Sequence, residues 1–356
     1  MRIIHTSDLH IGAPFGARLS AEKIRLRKAE LIENFRRLCE EARRIKADAV
    51  IIAGDLFDSE RVALSVCKRV IDAISSSPEV DFLYLVGNHE KTAFIECGLM
   101  MPENLKIFTR EWTSFDYPEV RISGRSEVGS NLFSGLDISK DKKNILVLHG
   151  AIGEGKSAEE LIGLGDAGDL GIDYIALGHY HSYSVTEIAR GSVAVYSGTL
   201  EGRGFDEVGE KGYSLIDIEN GSLTHTFVKF SRRTVRRIEV DTEGIYDRGE
   251  LEARAAVTLS AVPRSDLVRL AVVGKRSPEL VIDTSALLAR WQDGFFYFEA
   301  VDESAIKVNP RDYALDKSLK GEFIRLVSTR EDLTEEEKGL IISCGINALM
   351  GEFYEV

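Results

Sequence analysis

Short apolar runs alternate with amphipathic stretches over the first two-thirds of the chain. The runs Arg2–Thr6, Ala49–Ala53, Phe82–Val86, Asn144–Leu148, Tyr174–Leu177 and Val193–Tyr196 are rich in Ile, Val, Leu and Tyr and read as buried strands. Between the first two, Ile24, Leu31, Ile32, Phe35, Leu38, Cys39, Ala42 and Ile45 recur at helical spacing and predict one long helix. A second helix is predicted around residues 61–76. Strands that alternate with helices in this way indicate an α/β architecture with a largely buried sheet. Further on, Tyr213–Ile218 and Leu223–Phe230 flank Asn220-Gly221, a hairpin-turn dipeptide.

The pattern changes near residue 230. Residues 235–310 read as short strands with one or two helices, the size of a small appended α/β domain. In the tail, Thr334 with Glu337 three residues on is a capping-box signature. Behind it Ile342, Ile346, Leu349 and Phe353 step by four, three and four residues and form one apolar stripe. The chain has 356 residues, which suits about two domains. Its composition, 44% apolar and 29% charged, excludes a disordered polar chain, a collagen-like repeat and a disulfide miniprotein. No apolar run approaches the roughly 18 residues of a membrane span, and Met1-Arg2-Ile3-Ile4-His5 leads straight into a strand, so a soluble cytoplasmic protein is expected. Cys39, Cys67, Cys97 and Cys344 form no CxxC pair and read as buried reduced thiols.

The net charge of -13 argues against a generally basic nucleic-acid coat. One stretch departs from it: residues 228–276 hold 11 Lys/Arg against 7 Asp/Glu, and Arg232, Arg233, Arg236 and Arg237 cluster there. The cluster reads either as a solvated strand edge or as a phosphate-binding surface.

The candidate chemistry sits at the strand ends. Arg2–Thr6 runs into Ser7-Asp8-Leu9-His10, and Ala49–Ala53 into Gly54-Asp55-Leu56-Phe57-Asp58. Phe82–Val86 leads to Gly87-Asn88-His89-Glu90, Asn144–Leu148 to His149-Gly150, and Tyr174–Leu177 to Gly178-His179-Tyr180-His181. In open α/β sheets ligands bind beyond the carboxyl ends of the strands, so these residues should converge on one site. Five of the seven histidines lie in these turns, beside Asp8, Asp55 and Asn88. Burying that many carboxylates and imidazoles unpaired would be costly, and metal ions remove the cost. The donors are carboxylate, amide oxygen and imidazole without thiolate, which favours Mn(II), Fe or Mg over structural zinc while leaving zinc open. Seven candidate ligands exceed the needs of one ion; two ions sharing a bridging carboxylate fit them, the arrangement of a phosphoryl-transfer clamp.

These five elements, in this order across about 175 residues, resemble the calcineurin-like metallophosphoesterases, whose motifs run DxH, GDxxD, GNH[DE], H and GHxH. Within that superfamily the chain is most similar to the DNA-repair exonucleases: bacterial SbcD, the YhaO-like proteins and the meiotic-recombination nuclease. The phrases that carry this are His5-Thr6-Ser7-Asp8-Leu9-His10-Ile11-Gly12, Ala53-Gly54-Asp55-Leu56-Phe57-Asp58 and Tyr174-Ile175-Ala176-Leu177-Gly178-His179-Tyr180-His181. Tyr196-Ser197-Gly198-Thr199-Leu200-Glu201 and Glu210-Lys211-Gly212-Tyr213 echo it, and Ser7–Phe15 with Pro102-Glu103-Asn104 leans toward the YhaO-like branch.

The resemblance implies a two-sheet sandwich flanked by helices, an α/β fold, with a small α/β capping domain. The nuclease domain would span 1–230, the cap 231–310, and a C-terminal helical segment that docks a partner 311–356. It implies that Asp8, His10 and His181 hold one divalent metal ion and Asn88, His149 and His179 a second, with Asp55 bridging. His89 would be catalytic, protonating the leaving oxygen or stabilising the phosphorane; orienting a ligand is its other reading. Glu90 stands where the family more often has Asp, and Asp58, which follows the bacterial pattern, is given no catalytic role. DNA is the implied substrate, Mn(II) the implied metal, and a homodimer with an SMC-like ABC-type ATPase (SbcC-like) the implied assembly.

Two other functions stay open at this level. The same metals could serve a small nucleotide or other small phosphodiester, or the chain could be a non-catalytic scaffold that presents DNA ends.

Overall fold

The computed structural model describes residues 1–15, 19–90, 94–128, 132–153, 161–164, 167, 169–188, 191–277, 280–308 and 310–349. The chain divides into two units, Met1–Val235 and Arg236–Val356.

The first unit begins with β1 (Arg2–Thr6), α1 (Ala21–Arg44), β2 (Ala49–Ala53), α2 (Leu64–Ser75) and β3 (Asp81–Leu85). There follow β4 (Leu105–Ile107), β5 (Thr113–Asp116), β6 (Val120–Gly124), β7 (Lys143–His149), a short pair β8 (Ala151–Ile152) and β9 (Leu161–Ile162), and β10 (Tyr174–Gly178). It ends with β11 (Ser184–Glu187), β12 (Val193–Tyr196), β13 (Gly212–Glu219) and β14 (Ser222–Lys229). Two six-stranded sheets result, in the orders β14-β13-β1-β2-β3-β4 and β11-β12-β10-β7-β6-β5. Strands β1 to β4 run parallel, with Ile3 opposite Ala49 and Val50 opposite Phe82; β6, β7, β10 and β12 are likewise parallel. The β13–β14 hairpin turns at Asn220-Gly221, both with positive φ (52° and 76°).

Alternating side chains explain why the strands are continuously apolar. Ile3, Ile51 and Leu83 point between the sheets, where they meet Ile122, Ile145, Val147, Tyr174 and Ala176 of the second sheet. Ile4, Val50, Ile52, Phe82 and Tyr84 point the other way, onto Phe35, Leu38 and Ala42 of α1 and Val70 and Ile74 of α2. Both faces are buried, and each fully buried Leu, Ile or Phe contributes about 1.5–3 kcal/mol. The outer face of the second sheet (Leu146, Leu148, Ile175, Leu177) packs on Leu132, Ile162, Ala167 and Ile172. Helix α1 starts at Ser20, whose side chain accepts from the Lys23 N–H, and ends on Arg43 and Arg44, which complement its dipole.

The second unit holds β15 (Val235–Asp241), α3 (Arg248–Leu259), β16 (Leu267–Val273), β17 (Lys275–Arg276), α4 (Thr284–Trp291), β18 (Tyr297–Asp302) and β19 (Ala305–Ile306). β15, β16 and β18 form one sheet, and β17 pairs with β19. Val240, Val268, Leu270 and Phe298 pack beneath Leu251, Ala255 and Leu287 of α3 and α4. Two further helices follow, α5 (Leu319–Ser328) and α6 (Glu335–Leu349). The capping box at the start of α6 forms as predicted: Thr334 N–H donates to the Glu337 carboxylate and Glu337 N–H to the Thr334 hydroxyl. Ile342 and Ile346 bury against Ile324 and Val327 of α5. The first half of the apolar stripe is thus a seam inside its own unit; Leu349 is exposed, and Phe353 lies outside the described residues.

One expectation needs correcting. Cys39 and Cys67 are buried, but Cys97 is half-buried and Cys344 exposed. The arginine cluster is not a free basic surface. Arg232 and Arg233 pair with Glu30, Arg236 with Asp266, and Arg237 with Glu239 and Glu303. No helix among the described residues is long and apolar enough to cross a membrane.

Candidate metal centre

The carboxyl ends of β1, β2 and β3 in one sheet and of β7 and β10 in the other carry the candidate ligands, and the structure brings them together. The turns are tight: Asp8, His10, Asp55 and His179 all have positive φ (52°, 44°, 52° and 112°), which non-glycine residues adopt at a cost. Two glycines are required by close approach. A Cβ on Gly87 would lie 2.1 Å from Asp55 Oδ1, and one on Gly178 would lie 1.9 Å from the Ala53 carbonyl and 2.7 Å from His149 Nδ1.

Three overlapping groups of ligand atoms result: Asp8, His10 and His181; Asp8, Asp55 and His149; and His10, Asp58 and His89. His10 Nε2 lies 3.2 Å from His181 Nε2 and 3.8 Å from Asp55 Oδ2. His149 Nε2 lies 2.9 Å from Asn88 Oδ1 and 3.3 Å from Asp55 Oδ2. Asp8, fully buried, accepts from the Ser7 hydroxyl at 2.5 Å and from the His179 N–H at 2.9 Å. The His179 ring stands 5.7 Å from that of His149, centroid to centroid. His89 is half-exposed; its ring stands edge-on to His10 at 4.9 Å, and its Nδ1 lies 3.4 Å from the Asp58 carbonyl.

The donor set fits cations. His149 Nδ1 faces the Ala53 carbonyl at 2.9 Å, an acceptor only, so the proton sits on Nδ1 and the Nε2 lone pair faces outward. That lone pair, the Asn88 oxygen and the Asp55 carboxylate are three acceptors aimed at one another, an arrangement that a cation resolves. A proton competes with a cation for that place: burial lowers the His149 pKa, but the hydrogen bond to Asp55 and the charges of Asp8 and Asp55 raise it to about 9, so an ion that takes Nε2 must displace a proton. Burial alone raises the Asp55 carboxyl, yet His149 holds it at about 2. Burial, and then the charge of Arg203, lowers His10 to about 3, and its buried Nδ1 has no hydrogen-bond partner.

Sequence reasoning gave no supporting role to the residues that hold the candidate ligands. Glu207 is buried and accepts from His181 Nδ1 at 2.7 Å and from Arg203 Nη2 at 2.6 Å. A carboxylate behind a histidine fixes its ring and leaves Nε2 facing the centre. Burial would raise the Glu207 carboxyl, but those two partners bring it to about 2. Lys211, also buried, donates to the His181 carbonyl at 2.8 Å. Asp58 lies 3.2 Å from His10 Nδ1 and 3.4 Å from Arg203 Nη1. Glu90 does not reach the His89 ring. Its buried carboxylate accepts from the main-chain N–H of Leu56, Phe57 and Gly87, stapling two ligand-bearing turns, and burial raises its pKa to about 7. Lys211 belongs to Glu210-Lys211-Gly212-Tyr213, which carries part of the family resemblance; Arg203 and Glu207 carry no local signal.

The pattern of the calcineurin-like phosphoesterases matches residues 1–183, the stretch that supplies all seven candidate ligands. The chain belongs to that family. This phosphoesterase is therefore metal-dependent, with a fold that uses a dimetal centre. It is 28% identical over 245 residues to the uncharacterized metallophosphoesterase YhaO of Bacillus subtilis, covering 64% of this chain and 60% of that one. It is 27% identical over 292 residues to the DNA double-strand break repair protein Mre11 of Methanopyrus kandleri, covering 72% and 62%. The chain thus spans about three-fifths of the length of these two relatives. With Mre11 of Saccharolobus solfataricus the identity is 24% over 376 aligned positions, covering 96% and 93%.

Proposed function

We propose that this phosphoesterase is a two-metal DNA nuclease, acting as an exonuclease on duplex ends and an endonuclease on single strands in double-strand break repair. The observation that carries the reading is the match to the Saccharolobus solfataricus repair protein, which runs through 96% of the chain and so beyond the phosphoesterase core. In this reading Asp8, His10 and His181 would hold one ion and Asn88, His149 and His179 the other, with Asp55 serving both. Two divalent ions, Mn(II) in our reading, would supply Lewis acidity toward a phosphodiester.

The protein's own groups do the rest. Ser7 and the His179 N–H fix the Asp8 carboxylate, the Ala53 carbonyl fixes the His149 tautomer, and Glu207 fixes that of His181. His89, half-exposed beside His10, is the group free to carry a proton to the leaving oxygen. We further propose a homodimer, a capping role for 231–310, and an SMC-like ABC-type ATPase partner docked by 311–356. With the arginine cluster neutralised by Glu30, Asp266, Glu239 and Glu303, the subunit alone would bind DNA weakly.

That same neutralisation favours a second reading, a phosphodiesterase on a small nucleotide. The test is Mn(II)-dependent degradation of end-labelled duplex DNA and nicking of circular single-stranded DNA, with His89→Ala alongside. Cleavage by the wild type that drops by about 10²–10⁴ in a variant retaining two metal ions supports the nuclease. Two bound ions with turnover of cyclic nucleotides but not DNA would replace it by the second reading.

A further inference from the structure

A cavity of about 390 Å³ opens beside the metal centre, with His179 and His181 forming its inner side. Its volume falls in the range of about 300–1,000 Å³ typical of small-molecule sites. Tyr180, Ser182, Ser184, Asp206 and Glu207 line the remainder. Tyr180 sits between two candidate ligands in sequence, yet it is 49% exposed. The ring is not loose. It meets Tyr196 edge-on at 4.8 Å and the His179 ring at 5.2 Å. Tyr196 is itself pinned, its hydroxyl donating to the Gly150 carbonyl and accepting from the Ile152 N–H, both at 2.9 Å. A braced aromatic face in an open cavity is a stacking platform, which every nucleobase can use.

The charge of the cavity separates a base from a phosphate. No lysine or arginine lines it among the described residues, and its one carboxylate not engaged by His181 and Arg203 is that of Asp206. A phosphodiester would be repelled there. A base bearing an exocyclic amino group would find an acceptor in Asp206 and hydroxyls in Ser182 and Ser184.

We infer that this cavity is a nucleobase subsite, in which Tyr180 stacks on the base of the nucleotide joined to the scissile phosphate. The inference rests on the phosphodiesterase chemistry proposed above and specifies its substrate as a nucleotide ester. The base lies beside His179 and His181 while the phosphate stays at the metals, so Tyr180 sets substrate preference and takes no part in bond cleavage.

The test compares two Mn(II)-dependent substrates with the same leaving group: the p-nitrophenyl ester of deoxycytidine 5′-monophosphate, and methyl p-nitrophenyl phosphate, which has no base. DNA degradation is followed in parallel. In the wild type, kcat/KM should favour the nucleoside ester. Tyr180→Ala should cut that preference about tenfold, mainly through KM, and Tyr180→Phe should restore it. An unchanged ratio in Tyr180→Ala would overturn the subsite even if DNA is degraded normally. Wild-type preference for the nucleoside ester that Tyr180→Ala abolishes, without any DNA cleavage, would uphold the subsite and overturn the DNA reading. No preference in the wild type overturns the subsite outright.

Discussion

His149 Nδ1 donates to the main-chain oxygen of Ala53 at 2.9 Å, joining the last residue of β7 in one sheet to the last residue of β2 in the other. One bond therefore does two things. It closes the carboxyl edge of the sandwich, and it selects the imidazole tautomer whose Nε2 faces Asn88 and Asp55.

Gly178 leaves room for that bond. An alanine there would put its Cβ 1.9 Å from the Ala53 oxygen and 2.7 Å from His149 Nδ1. Because one obstacle is backbone, the sandwich must shift. Gly178→Ala should cost about 1–3 kcal/mol and lower bound metal. Urea unfolding and metal analysis of the purified protein read both. A normal midpoint with full metal content would show that the edge tolerates the displacement.

Glu207 does for His181 what the Ala53 carbonyl does for His149. Removing the carboxylate frees the His181 ring and leaves Arg203 with only Asp58 as an acidic partner. Glu207→Ala should weaken divalent-metal affinity about 10–100-fold with the far-ultraviolet circular dichroism unchanged. Glu207→Gln, which retains an acceptor oxygen, should fall between the alanine variant and the wild type. Equal affinities in equilibrium dialysis would mean that His181 needs no support.

Burial decides how much of the fold was legible in the sequence. Because both faces of the first sheet are covered, Ile3-Ile4 and Ile51-Ile52 leave an unbroken apolar signal, and β1, β2 and β12 fall where the pattern predicts. β3 begins one residue early, at Asp81, because its carboxylate is held by Lys106 and Tyr117 and so tolerates a strand position. The edge strands β4 and β5 are short and half-exposed and leave no pattern to read. The ligand candidates were legible because they end strands. Arg203 and Glu207 were not, because they lie in a turn that only tertiary packing carries to His181.

His5 gives a pH dependence away from the ligand set. It is fully buried, its Nδ1 bonded to the Tyr174 hydroxyl at 2.9 Å, and burial lowers its pKa to about 3. The unfolded chain takes up the proton near pH 6.5, well before the folded one does. The neutral histidine's contribution is thus complete above about pH 6.5 and is lost as pH falls toward 3, at up to about 1.4 kcal/mol per pH unit. His5→Asn should be less stable at pH 8, yet its stability should fall less steeply between pH 6.5 and 4, by about one proton. Urea midpoints across that range check this; parallel slopes would assign the acid sensitivity to other groups.

Arg27 is the buried cation whose removal should hurt most. Its side chain is fully enclosed, donating to Glu30 and Glu201 at 2.8 Å each and to the Gly202 carbonyl at 2.6 Å. Glu30 keeps a second partner in Arg233, but Glu201 would retain only the Asn34 amide and the main-chain N–H groups of Arg232 and Arg233. Burial already pushes the Glu201 carboxyl up. Arg27→Met therefore leaves a carboxylate in a buried site without a counter-charge, at about 3–5 kcal/mol, a large share of a stability of about 5–15 kcal/mol. Arg36, which pairs with Glu33 and Glu40 on the exposed side of the same helix, should cost less than about 1 kcal/mol as Arg36→Ala. Urea titrations of the two variants side by side decide it: similar midpoints would mean that Glu201 sheds its charge, or the loop opens to water, once Arg27 is gone.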